Sequence, residues 1–141
     1  MSKRELREIL SQSRVIAVVG LSREPEKDSF KVSSYLKEHG FHIIPVNPFT
    51  NEVLGEKSYA SLLEIPAELQ KTIDVVDIFR PSKEVRPVVE QAVKLKKANG
   101  KPTVVWMQLG IEDEEAAEIA RRAGLTVVMD KCVMVEHRNL F

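Results

Sequence analysis

The residues best placed to do chemistry fall in one stretch, Gly20-Leu21-Ser22-Arg23-Glu24-Pro25-Glu26-Lys27-Asp28-Ser29. It follows an uninterrupted apolar run, Val15 to Val19, and leads into a helical pattern, so it reads as a strand-to-helix turn. At a helix start, free backbone N–H groups and the dipole favour an anion. Gly20 permits close backbone approach, Ser22 and Ser29 offer hydroxyls, and Arg23 and Lys27 offer positive charge. The same residues also suit a solvated loop closed by a serine cap. The loop alone does not decide between the two.

Absences narrow the ligand. No G-x-G-x-x-G follows the first strand, and the second strand ends in Val46-Asn47-Pro48 rather than in an acid that would meet a ribose diol. A GxxxxGK[ST] loop is missing as well. The pattern points to a nucleotide that is neither NAD held in the usual turn nor an ATP being hydrolysed.

A second cluster is Phe79-Arg80-Pro81-Ser82, at the end of the third strand. There Phe79 can pack on an adenine or a pantetheine arm and Arg80 can reach a phosphate. An edge aromatic beside a solvent arginine is the plainer alternative. Gln108 and Gly110 can hydrogen-bond a neutral part of a ligand, whereas the acidic run Glu112 to Glu115 would repel phosphate. Cys132 is the sole cysteine and reads either as a small packed residue or as a redox-active thiol. No histidine has metal-ligand spacing, so no metal is expected, and no catalytic constellation is visible.

The elements that must hold these residues alternate. A capping-box spacing, Ser2 with Glu5, opens a first helix. Strands are expected at Val15–Val19, Phe41–Val46, Ile73–Phe79, Thr103–Gln108 and Leu125–Met129. Helices are expected to start at Ser29, after Ser82 and at Glu112, closed by Gly40, Gly100 and Gly124, with residues 49–70 mostly connection around a short helical turn at Ser61 to Ile65 and a short tail after the fifth strand. Asp74 and Asp77 suit a covered strand poorly, which places the third strand at a sheet edge. The expected fold is therefore an α/β, three-layer, Rossmann-like single domain over residues 1–141, with a five-stranded parallel sheet in the order 3-2-1-4-5. A ligand would then sit outside the carboxyl ends of strands one and four.

Composition excludes several classes. The 141 residues carry 21 Lys plus Arg against 21 Asp plus Glu, a net charge of zero. Nucleic acid and membrane surfaces call for a basic excess that is absent, so neither is an expected partner. The charged N-terminus leads into no signal-peptide core, no apolar run reaches the ~20 residues of a membrane span, and a single cysteine suits a reducing compartment. A cytoplasmic location is the expectation.

Five segments occur in order: Gly20-Leu21-Ser22, Val46-Asn47-Pro48, Phe79-Arg80-Pro81-Ser82, Trp106-Met107-Gln108-Leu109-Gly110-Ile111, and Asp130-Lys131-Cys132 with Glu136-His137. Together, over nearly the whole chain, they resemble the small stand-alone CoA-binding proteins, whose fold is similar to the CoA-binding domain of the succinyl-CoA ligase alpha subunit. The resemblance implies a coenzyme A site. The loop with Gly20, Ser22, Arg23 and Lys27 would take phosphates, with Leu21 and Ser29 counted in the same site; Val46, Asn47 and Pro48 would flank the adenosine. Phe79, Arg80 and Pro81 would line the nucleotide, and Gln108 would lie near the pantetheine. The ligases also need a phosphorylated histidine on a second domain, to which His137 does not correspond, so ligase activity is not implied. The expected ligand is CoA or an acyl-CoA, with homo-oligomer formation left open. An acyl-CoA-processing enzyme, or a redox- or nucleotide-sensing interaction protein using Cys132, remains the alternative.

Overall fold

The computed structural model describes residues 1–141. Ser2 caps helix α1 (Lys3–Gln12): its hydroxyl accepts from the Glu5 N–H at 3.1 Å, while the Glu5 carboxylate accepts from the Ser2 N–H at 3.3 Å. The expected capping box is present. Strand β1 (Val15–Val19) follows, with Ile16, Ala17 and Val18 wholly buried, as a strand covered on both faces must be. Helix α2 (Asp28–Glu38) leads to strand β2 (His42–Val46).

The segment read as connection contains strands β3 (Glu52–Val53) and β4 (Glu56–Lys57), paired as a small hairpin, then the expected helical turn as a 3₁₀ turn at Leu62–Glu64, and helix α3 (Ala67–Gln70). Strand β5 (Val75–Ile78) comes next, then a 3₁₀ turn at Ser82–Glu84 and helix α4 (Val85–Asn99). Pro87 lies in the first turn of α4, where its missing N–H costs nothing. Strand β6 (Val104–Met107), helix α5 (Glu114–Arg122) and strand β7 (Thr126–Val128) complete the alternation. The expected tail is in fact helix α6 (Val133–Leu140), which packs on α1 and α2. No helix is long and apolar enough to cross a membrane.

The five main strands are parallel, in the order β2-β1-β5-β6-β7. Counted as sheet strands, that order is 2-1-3-4-5 and corrects the expected 3-2-1-4-5. The strand assigned to an edge runs through the middle, with all four of its residues buried. Its aspartates are accommodated by partners rather than by solvent. Asp74, just before β5, accepts from the N–H groups of Arg14 and Val15 at 2.8 and 3.0 Å and from Lys101 Nζ at 2.6 Å. Asp77 is wholly buried and accepts from Gln108 Nε2 at 2.6 Å. A buried polar group needs a hydrogen bond, not an edge.

The sheet separates two apolar layers. Helices α1, α2 and α6 cover the face of Ile16, Val18 and Trp106, and α4 and α5 cover the face of Ala17, Val19 and Val105. The chain leaves β1 for β2 on one side and returns past β1 to β5 on the other. The winding therefore reverses between β1 and β5, and a ligand crevice opens there.

Candidate functional site

At the end of β1, Gly20 turns the chain with φ of 89°, and its N–H donates to the Val46 carbonyl at 2.9 Å. A Cβ built on Gly20 would stand 2.5 Å from the Phe79 carbonyl oxygen and 3.0 Å from Arg80 Cδ. Only glycine fits. The loops after β1 and β5 are thereby pressed together at the reversal point, and Arg80 lies with its stem along bare backbone.

Asn47 ties in the loop after β2. Its Nδ2 donates to the Leu21 carbonyl at 2.9 Å, its Oδ1 accepts from the Phe49 N–H at 2.8 Å, and its backbone carbonyl accepts from the Ser58 hydroxyl at 3.1 Å. Three strand ends, β1, β2 and β5, are thus joined by hydrogen bonds and close packing. Beside them lies a cavity of about 620 Å³, walled by the loop after β2, the Ala60–Ser61 segment and the first turns of α4. That volume is within the usual range for a small-molecule site. Arg80 and Lys83 are the cations of its wall and Glu84 its one acid, while Val19, Val46, Phe49 and Val88 supply apolar surface.

Of the thirteen ligand residues expected from sequence, Gly20, Ser22, Val46, Asn47, Pro48 and Arg80 line this cavity. The others take different places. Leu21 is wholly buried under α2, and Ser29 is buried with its Oγ accepting from the Ser22 N–H at 3.0 Å. The Ser22 hydroxyl in turn accepts from the Glu24 N–H at 3.0 Å, so both serines shape the loop. Arg23 and Lys27 are exposed on it, and Lys27 precedes α2 without a side-chain cap. Phe79 is half-buried and packs on the α2 layer, and Pro81 is exposed ahead of the 3₁₀ turn.

Gln108 is almost wholly buried, committed to Asp77. Desolvation raises the Asp77 carboxyl to about 7, against the lowering effect of the Gln108 hydrogen bond. Cys132 is half-buried at the start of α6, packed on the α2 layer, and is not part of the cavity wall.

Sequence reasoning missed Phe49, Lys83, Glu84 and Gln91. Phe49 is 87% exposed, and a phenylalanine directly after Asn47-Pro48 in a polar loop was a usable signal. Lys83 and Glu84 carried none. They reach the site only because β5 is the neighbour of β1.

Another cavity, of about 480 Å³, lies at the opposite end of the sheet. Its wall holds Glu5, Glu8 and Asp74 against Lys101, which already pairs with Asp74 at 2.6 Å. That charge suits no polyanion.

Comparison with known proteins adds four findings. A family model described as a CoA binding domain matches residues 14–138. The uncharacterized protein YneT of Bacillus subtilis (strain 168) is 41% identical over 136 residues, 96% of this chain and 94% of its own length. The acetate–CoA ligase (ADP-forming) II subunit alpha of Pyrococcus furiosus is 34% identical over 139 residues, which is 90% of this chain but 29% of that protein. Among solved structures, cell-free ID.343 from Thermus thermophilus superposes with a TM-score of 0.89 at 38% identity, covering 100% of both chains.

Proposed function

Since this chain belongs to the CoA-binding domain family, we propose that it binds coenzyme A, or an acyl-CoA, in the cavity at the carboxyl ends of β1, β2 and β5. The observation that carries the reading is the close approach of the Gly20 and Phe79–Arg80 loops at the point where the winding reverses. It aims an arginine into a crevice that has a second cation, Lys83, and an exposed aromatic ring, Phe49. That combination suits an adenine nucleotide. Arginine and lysine make charge-assisted bonds to phosphate, and an aromatic face stacks on a base.

In this reading Arg80 and Lys83 take the diphosphate, with the Ser22 loop and its exposed Arg23 and Lys27 at hand for the remaining phosphate. Phe49 and Pro48 flank the adenine. Leu21, Ser29 and Asn47 hold the loops in place, and the pantetheine arm leaves along the strand ends towards Gln108. The protein has zero net charge, so attraction of a polyanion must be local, and this cluster supplies it.

The matched ligase subunit is more than three times as long as the segment it shares, and its reaction is not part of the proposal. Binding of the cofactor is. A cytoplasmic setting goes with it, because a reducing compartment keeps the one cysteine as a thiol.

Calorimetry with CoA, dephospho-CoA and NAD tests the reading. CoA should bind, dephospho-CoA more weakly and NAD not measurably, since nothing acidic ends β2 to hold its ribose. Arg80→Ala should weaken CoA by about 1–3 kcal/mol, the loss usual for a charge-assisted bond. Failure of CoA to bind the whole chain would end the proposal.

A further inference from the structure

The cavity's one carboxylate is already bound to the cavity's arginine. Arg80 Nη2 donates to Glu84 Oε1 at 2.7 Å, with the two side chains 42% and 43% exposed. The arginine is located at both ends, since its Cδ packs against the bare face of Gly20. Glu84 stands at the N-cap position of the 15-residue helix α4 but makes no side-chain capping bond there. Its carboxylate reaches instead for the guanidinium. A negative group on the wall of a cavity meant for a polyanion opposes the ligand. Its partner is the group that the ligand's phosphate would seek.

Resting on the reading of this cavity as a nucleotide site, we propose that Glu84 is a specificity-determining residue that competes with a ligand's phosphate for Arg80. Its carboxylate holds the face of Arg80 that a phosphate takes over. Binding is then an exchange of one charge-assisted bond for another, with Glu84 released to solvent. Without ligand, Arg80, Lys83 and Glu84 leave the wall one net positive charge. Any ligand phosphate that takes Arg80 must displace the carboxylate, whereas an uncharged ligand leaves the pair intact. Glu84 therefore lowers the affinity of phosphate-bearing ligands relative to uncharged ones in the same cavity. Because an exposed ion pair is weak, Glu84 screens ligands without blocking the site.

The test is titration calorimetry of the whole chain in four forms (wild type, Glu84→Gln, Arg80→Ala and the double variant) with CoA and with adenosine. Glu84→Ser is a fifth form in which serine, a favoured N-cap residue, secures the start of α4. Removing the carboxylate should tighten CoA binding by roughly two- to fivefold in both Glu84 variants. Adenosine, which carries no phosphate, should gain nothing, and the gain for CoA should shrink when Arg80 is absent. Equal CoA affinity of wild type and both Glu84 variants would overturn the inference while leaving the cavity a CoA site. A gain for CoA that is undiminished without Arg80, or a gain as large for adenosine, would also overturn it. If no form binds CoA, the assignment of the cavity falls and the role of Glu84 falls with it.

Discussion

Gln108 Nε2 donates a 2.6 Å hydrogen bond to Asp77 Oδ1 in the interior of the sheet, between the central strand β5 and its neighbour β6. The second carboxyl oxygen of Asp77 has no hydrogen-bond partner. Burial raises this carboxyl to about 7 from 3.8 despite the Gln108 bond. The folded state thus holds a proton that the unfolded chain releases near pH 4. The stability this proton contributes is fully present below pH ~4 and is lost progressively up to pH ~7. Asp77→Asn keeps an acceptor for Gln108 and removes the titration. It should raise the unfolding midpoint at pH 7.5 and flatten the pH dependence between about 4 and 7, with a gain on the order of 3–4 kcal/mol at the upper end. Thermal unfolding followed by circular dichroism across that range checks it; a midpoint unchanged or lowered at pH 7.5 contradicts it.

Asp74 behaves oppositely. Desolvation raises its carboxyl, but the bonds from Lys101, Val15 and Arg14 outweigh this and leave it below 3.8. A depressed carboxyl stabilises the fold above its unfolded value, and that contribution is lost as pH falls through the folded one. Asp74→Asn removes the charge that Lys101 and two backbone donors share, and should cost about 1–3 kcal/mol at pH 7. The difference from wild type should shrink on acidification below pH 4. Paired denaturant titrations at neutral and acid pH measure both.

Gly20→Ala tests the close approach at the site. The φ of 89° alone costs an L-residue roughly 1–2 kcal/mol. The methyl would also stand 2.5 Å from the Phe79 carbonyl, so the loops must separate. CoA binding should fall by more than tenfold along with stability. A variant that binds CoA normally would show that the loops can part without cost to the site.

Phe49→Ser separates binding from folding. The ring is 87% exposed, so its loss should leave the unfolding free energy within about 0.5 kcal/mol of wild type. If the ring stacks on adenine, affinity for CoA should drop by about 1–3 kcal/mol, with no change in any binding of free pantetheine. Calorimetry with both ligands decides between a stacking platform and an idle surface residue.

Periodicity and punctuation in the chain determined most elements by themselves. The capping box of α1, the apolar run of β1, the glycines closing α2 and α4 and the charges at both ends of α5 are local signals, and each marks its element to within a few residues. The anchoring glycine and the arginine of the site were legible for the same reason: residue type and loop position suffice to mark them. Strand order is another matter. Period-two burial says which face a side chain takes but not which strand lies beside it, and Asp77 argued for an edge until Gln108, 31 residues away, supplied its partner. Helix α6 exists because α1 and α2 give its apolar side a surface to cover. Lys83 and Glu84 belong to the site only because the crossover after β2 carries β5 back to the far side of β1. Local propensity chose the elements, and long-range packing and hydrogen bonding chose their neighbours and, with them, the wall of the cavity.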